Sequence, residues 1–312
     1  TTIEVKASMK ATAVMPDHEL HLGLEEDGEG FTTLTLVPNP EKPRGGVVVL
    51  DEWLIDQIHL AMDRVEAAPP EKGFILASGS ERVFTAGADL EEFESKDDPA
   101  LFAYLEKAAA AFMRITHLDC TSAAVIGGSA LGGGLEIAMH CDGLIGLETG
   151  ADEKPYLVGL PEAGLGLCPG WGGTQMLPAR IPAPDAILAT AKGRVFKSNG
   201  LPNDLFDVVV ARRQDLPAAA RDWMGLHQRH RRWELPRSIQ DMSTDVLIVA
   251  LDEIADLLPD TEAARAVVEC VRSGNKDGFL TALETERRLL VSLRHTPTAR
   301  ERLADFFAGQ KR

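Results

Sequence analysis

A chain of 312 residues has room for one large domain or for a main domain with a smaller attachment. Its 45% hydrophobic and 26% charged fractions match ordinary globular proteins, which excludes disordered and collagen-like classes. The formal net charge of −16 argues against a nucleic-acid surface, because phosphate backbones reward basic stripes and repel a strongly acidic protein.

Residues 1 to about 30 alternate apolar and acidic stretches and end in Glu25-Glu26-Asp27-Gly28-Glu29-Gly30, a strand-and-turn pattern. Phe31 to Val37 is rich in β-branched residues and closes on Pro38-Asn39-Pro40, which predicts a strand and a turn. Leu54, Ile55, Ile58, Ala61, Met62 and Val65 then recur at helical spacing before Pro69-Pro70, and Gly73 to Ser78 reads as a buried strand. The order continues with a helix from about Pro99 to Thr116 and a strand from Ser122 to Ile126. A glycine cluster, a helix from about Gly132 to Cys141 and a strand from Gly143 to Leu147 follow. Strands alternating with helices indicate an α/β domain. After Pro217 the pattern turns helical, ending in Thr281 to Leu293 and Thr298 to Phe307, so a helical C-terminal module is expected over 212–312 behind a core of 1–211.

Three segments put glycines and carboxylates where packing alone does not ask for them. In the first, Val83 to Glu92, small residues let backbone approach a ligand, and Asp89 with Glu92 three positions later reads as an N-cap with its capping-box partner. In the second, Val125 to Ala138, an apolar strand feeds glycines that open a helix, whose free N–H groups suit negative charge. Glu136 lies about one turn after Gly133 and can share its side; taken alone, it reads first as a partner of the helix dipole. The third, Gly159 to Gln175, holds Glu162 in an apolar, glycine-rich run, where a lone carboxylate stands either at the surface or in a site.

These glycines match neither a GxGxxG turn, nor a P-loop, nor a GxSxG elbow, since Leu131 stands where the last needs its second glycine. Cys120, Cys141, Cys168 and Cys270 lack CxxC or Cys/His spacing, so reduced thiols and no metal site are expected. No run approaches the ~20 apolar residues of a spanning helix, and the first residues lack a secretory pattern. A cytoplasmic protein without membrane contact is expected. The one dense basic run, His227, Arg229, His230, Arg231 and Arg232, reads as a solvated helical face or subunit contact, with a phosphate contact as the alternative.

Together and in this order, Ala86 to Leu90, Gly128 to Glu136 and Pro161 to Gln175 resemble the crotonase (enoyl-CoA hydratase/isomerase) family. That family is marked by AGADL-type, GxALGGGxE and PExxLGxxPGxGGTQ segments. The likeness covers roughly residues 30 to 210. Glu284 to Phe307 also resembles the end of the hydratase part of multifunctional fatty-acid oxidation proteins.

The resemblance implies an α/β fold, a crotonase-like spiral of ββα units with a helical C-terminal module that builds homotrimers or dimers of trimers. It implies a hydro-lyase that adds water across the 2,3 double bond of an acyl-CoA, with Glu136 and Glu162 as catalytic carboxylates and the backbone N–H groups of Ala88 and Gly133 as an oxyanion hole. Arg82, Ala86, Gly87, Asp89, Leu90, Gly132 and Trp171 fall at positions expected to line the substrate and coenzyme A site. The thioester is the substrate, and no further cofactor is implied. Two departures stand out: Val47-Val48-Val49-Leu50 replaces a frequent asparagine, and Glu91 replaces a frequent basic residue. A double-bond isomerase and a non-catalytic assembly subunit are the alternatives.

Overall fold

The computed structural model describes residues 19–42, 44–150, 153–227 and 234–310. Among the described residues, ten strands form two sheets. The larger contains β1 (Gly23–Glu26), β2 (Phe31–Leu36), β3 (Gly73–Ser78), β5 (Thr121–Ile126), β7 (Gly143–Leu147) and β10 (Val208–Val210), in that spatial order. All its pairings are parallel except β1 with β2. The smaller contains β4 (Val83–Thr85), β6 (Ser129–Leu131), β8 (Leu157–Gly159) and β9 (Val195–Lys197), with only β9 antiparallel.

The chain alternates between the sheets. Each turn of the spiral lays one strand in the large sheet, the next in the small sheet, and then a helix. The helices of the successive turns are α1 (Glu52–Ala67), α2 (Leu90–Ser95) with α3 (Asp98–Thr116), α4 (Gly133–Met139), and α5 (Gly173–Met176) with α6 (Ala183–Lys192). In the first turn the small-sheet strand shrinks to a single parallel bridge between Leu50 and Ala88. The family-like spiral of ββα units is therefore present, with second strands β4, β6 and β8 of only three residues each.

Local chemistry starts these helices where the sequence indicates. Asp51 caps α1 by accepting the Leu54 N–H at 2.8 Å, and Asp97 caps α3 through the Ala100 N–H at 2.9 Å. The periodic residues Leu54, Ile55, Ile58, Ala61, Met62 and Val65 are all buried. Asp89 caps α2 as expected, but the capping box fails. The Glu92 carboxylate instead accepts from the Glu52 N–H, at the open start of α1, and from Lys42 Nζ.

The helical C-terminal region consists of α7 (Leu216–Leu226), α8 (Thr244–Ile254), α9 (Glu262–Asp277), α10 (Phe279–Leu293) and α11 (Pro297–Gln310). Helix α7 lies on β3, β5, β7 and β10, where Leu216, Ala220 and Met224 bury a second, smaller core with Ile75, Ala123 and Ile145. Helices α9 and α10 pack on α5, and α11 packs on the turn at 162–165. The C-terminal region thus buttresses the third motif. No helix among the described residues is long and apolar enough to cross a membrane.

The start of α4 is fixed by close backbone contact: a Cβ on Gly134 would stand 2.4 Å from the Thr85 carbonyl oxygen. Alanine ordinarily improves a helix interior by about 1 kcal/mol, whereas forcing a methyl group onto immobile backbone costs about 1–3 kcal/mol. Gly134→Ala is therefore expected to lower the urea midpoint. Gly225→Ala, at a position in α7 with open space around it, should raise stability slightly, and an equal response from both would contradict this packing account.

Candidate active site

The three motifs meet because the parallel strands β4, β6 and β8 end side by side, and ligands in such sheets gather beyond the carboxyl ends of strands. Residues 86–89 follow β4, residues 132 and 133 follow β6, and residues 160–162 follow β8. Gly87, at φ 91°, makes the first turn possible. A Cβ there would stand 2.7 Å from the Leu131 carbonyl oxygen and 3.4 Å from the Gly133 nitrogen, so the first two motifs touch through backbone.

Two N–H groups are left over at this contact. The Leu50–Ala88 bridge uses the Gly87 carbonyl and the Asp89 N–H, which turns the Ala88 N–H away from the ladder. Gly133 is the first residue of α4, so its N–H has no acceptor within the helix. Among the described residues neither N–H finds a hydrogen-bond acceptor.

Glu136 is buried, and its Oε1 accepts the N–H groups of Trp171 and Gly173, both at 2.8 Å. Glu162 opens the turn at 162–165. Gly132 leaves it room, since a Cβ there would stand 2.5 Å from Glu162 Oε1. Glu162 Oε2 is buried without any hydrogen-bond partner. Burial pushes Glu162 up to about 8. Burial and the neighbouring charges of Glu162 and Glu286 raise Glu136 well above the ordinary carboxylate range. The two carboxylates that sequence reading singled out therefore lie within electrostatic reach of each other.

Trp171 is also buried. Its indole N–H donates to the Leu105 carbonyl at 2.9 Å, and its ring meets Tyr104 and Phe112 edge-on. A Cβ on Gly133 would stand 2.2 Å from the Trp171 ring, so this side chain walls the site directly behind that glycine.

A cavity of about 590 Å³ opens beside Ala88, within the size range of small-molecule sites. Ala86, Ala88 and Leu90 line it together with Val47, Val49, Glu91, Lys42, Arg44, Phe306 and Phe307. Gly87, Asp89, Gly132 and Trp171 lie behind the surface. Arg82 is exposed and does not line this cavity. Its cations are instead Lys42 and Arg44, which sequence reading missed because they sit in a proline-rich turn without a motif. Arg44 pairs with Asp89 at 2.6 Å and Glu91 at 2.9 Å, and Lys42 pairs with Glu92 at 2.6 Å.

Asp51, Asp89 and Glu92 bring carboxylate oxygens within 4.8 Å of one another. Asn39, Arg44 and Lys42 already occupy them, a polar network that ties the first motif to residues 39, 42 and 44. Of the basic run, His227 ends α7 and stacks on Trp223 at 4.3 Å, while Arg229, His230, Arg231 and Arg232 lie outside the described residues. A further buried carboxylate was not singled out from the sequence: Glu286 of α10 accepts the N–H groups of Gly172 and Thr174.

Residues 47–225, more than half of the chain, match the family model described as enoyl-CoA hydratase/isomerase. The alpha subunit of the fatty acid oxidation complex of Aliivibrio fischeri is 29% identical over 296 residues, which cover 91% of this chain and 41% of that protein. The corresponding subunit of Idiomarina loihiensis is 30% identical over 183 residues, covering 58% and 24%. The chain spans less than half the length of these relatives. A crystal structure of enoyl-CoA hydratase from Bacillus halodurans superposes with a TM-score of 0.63 at 18% identity, over 91% of this chain and 99% of that one. Human mitochondrial delta3-delta2-enoyl-CoA isomerase gives 0.64 at 19% identity, over 93% and 98%. By the extent of the family match and by its fold, the chain belongs to the enoyl-CoA hydratase/isomerase family.

Proposed function

We propose that this protein is an enoyl-CoA hydratase that adds water reversibly across the 2,3 double bond of an acyl-CoA thioester, giving the 3-hydroxyacyl-CoA. The observation that carries this reading is the unequal bonding of two neighbouring carboxylates, Glu136 buried and Glu162 half-buried with its Oε2 enclosed. Glu136 accepts two N–H groups, which favours its ionised form, while Glu162 Oε2 has no donor, which favours a proton there. Hydration needs such a pair, one base and one acid.

In this mechanism the thioester oxygen lies on the free N–H groups of Ala88 and Gly133. Charge that develops there is stabilised by preorganised donors, whose loss in other enzymes costs about 3–4 kcal/mol. Carbon 3 becomes electrophilic. Water adds its oxygen to C3 and gives a proton to Glu136, while the proton of Glu162 goes to C2, so the protein regains its initial state after one proton passes between the pair. Lys42 and Arg44 stand where the anionic part of coenzyme A can be met, in the same cavity as Ala86, Ala88 and Leu90. The substrate is the thioester itself, and the scheme uses no additional cofactor.

Hydration of 2-enoyl-CoA thioesters of varied length, followed by loss of the conjugated absorbance, tests the assignment. Conversion of 3-enoyl to 2-enoyl thioesters without hydration would instead identify an isomerase. Glu136→Gln and Glu162→Gln are each expected to reduce hydration by about 10² or more while leaving thioester binding intact. The double variant should lose far less than the product of the two, because both groups serve one proton transfer cycle. Near-normal turnover in Glu136→Gln would reduce that residue to a helix-dipole partner.

Stability offers a second measurement. Glu162 titrates near 8 in the folded protein and near 4.3 when unfolded. The folded state therefore binds the proton more tightly, and its contribution to stability is lost as pH rises through about 8. Glu162→Gln removes that dependence. The variant should gain melting temperature over wild type at about pH 9 and lose most of this advantage at about pH 5; a pH-independent difference would show that Glu162 is not held neutral by burial.

Assembly as a homotrimer or a dimer of trimers belongs to the same proposal, with residues 212–312 as the associating region. Support comes from Val246, Ile248 and Val249 on α8, which are 48%, 49% and 63% exposed in the single chain. Light scattering should find a trimer or its multiple, and a monomer at micromolar concentration would refute it.

A further inference from the structure

Residues 171–174 are gripped from two sides. Trp171 and Gly173 direct their N–H groups to Glu136 Oε1, each at 2.8 Å. The alternate N–H groups point the other way, Gly172 to Glu286 Oε2 at 2.6 Å and Thr174 to Glu286 Oε1 at 3.0 Å, and the Thr174 hydroxyl also donates to Oε1. Glu286 is fully buried on α10. Gln175 completes the clamp by donating to the Thr174 hydroxyl at 2.7 Å and to the Cys270 carbonyl at 2.9 Å.

A structural glutamate that merely anchored a loop would have no reason to lie within electrostatic reach of the reacting pair. Here four successive N–H groups are divided between Glu136 and a second buried carboxylate. We propose that Glu286 is a positioning residue of this site: it holds the loop that orients Glu136, and its negative charge helps keep one proton on the Glu136–Glu162 pair. This rests on the reading of those two glutamates as the proton-exchanging groups.

The electrostatics agree with the geometry. Glu286 raises the proton affinity of both Glu136 and Glu162, as like charges do in a dry interior. Burial pushes Glu286 itself up to about 7, against the donors of Thr174 and Gly172 and the cation of Arg287, which favour its ionised form. The remaining titratable groups facing it are Cys168, whose thiol donates to the Glu286 carbonyl at 3.7 Å, and Cys270 on α9. Contact with Cys270 and burial hold the Cys168 thiol well above its usual range, and therefore neutral.

The sign follows directly. Above about 7 the ionised Glu286 opposes loss of the proton shared by Glu136 and Glu162. Removing that charge lets the pair deprotonate at lower pH, so the alkaline limb of activity must move down.

The test is the pH profile of kcat/KM for hydration in wild type, Glu286→Gln and Thr174→Val, joined to infrared titration of the buried carboxyl groups without substrate. Glu286→Gln is expected to shift the alkaline limb down by about one pH unit and to lower kcat more than it changes KM. Thr174→Val removes a donor that favours ionised Glu286, so it should shift the limb in the same direction by less. Infrared titration should show the pair losing its proton at correspondingly lower pH. A uniform fall in rate with an unmoved limb and unmoved carboxyl titration would overturn the proposal and leave Glu286 a structural anchor. Should Glu286→Gln fail to fold, Thr174→Val decides by the same criterion. Absence of turnover by wild type would count against the hydratase reading, while the infrared titration still decides the role of Glu286.

Discussion

The site depends on backbone meeting backbone at the ends of three short parallel strands. Gly128 lies against the Arg82 backbone, Gly134 against the Thr85 carbonyl, and Gly87 against Leu131 and Gly133. A side chain at any of these positions would push two strand ends apart. Because none is there, the turn after β4 and the start of α4 are held at one separation, and two unused N–H groups face the same space. The helix start also sets the place of Glu136, one turn on. The glycines therefore act through what they admit: a rigid contact of peptide groups, which has far fewer soft degrees of freedom than contacts between side chains.

That rigidity has an electrostatic counterpart. Taking carboxylates out of water is costly unless donors replace the lost hydration. Glu136 and Glu286 receive them from the loop at 171–174, which is not free to reorient since α4, α9 and α10 pack on α5, the helix it leads into. Glu162 receives none at Oε2. The loop's donors oppose the rise that burial imposes on Glu136 and Glu286, and no donor does so at Glu162 Oε2. On the proposed reading, the difference between acid and base rests on this uneven distribution of peptide N–H groups.

Much of this was legible in the chain, and the gaps have physical causes. Gly73–Ser78 and Gly143–Leu147 agree with the sequence expectation from end to end, because a short apolar run bounded by turn residues admits little else. Strands β4, β6 and β8 were invisible as strands. Three residues are too few to show an alternating period, and their glycine-rich surroundings read as turns. Glu136 and Glu162 were found through their motifs, but which of them carries donors depends on a loop 35 residues from Glu136 in the chain. Glu286 hid among charged neighbours, Glu284, Arg287 and Arg288. A signal was present all the same: the buried positions Phe279, Ala282, Leu283, Leu290 and Leu293 of α10 place residue 286 on the same face. A carboxylate on a core-facing helical position asks for donors from elsewhere, and here they come from Gly172 and Thr174.

The mouth of the cavity shows the same reasoning applied to the surface. Arg82, expected there from the motif, is displaced by Lys42 and Arg44 from an earlier turn, and Glu91, which departs from the usual basic residue, is the partner of Arg44. The acid and the cations are one adjustment: with Glu91 in place, a cation from elsewhere has to offset it. Arg44 is already committed to Asp89 and Glu91, and Lys42 to Glu92. Partly exposed ion pairs contribute little, typically about 0.2–1 kcal/mol, so exchanging one anionic partner for a phosphate gains only a small difference. On the proposed reading, recognition of coenzyme A at this mouth therefore rests more on enclosure by Val47, Val49, Phe306 and Phe307 than on charge, and Arg44 and Lys42 serve chiefly to keep an acidic protein from repelling its anionic ligand.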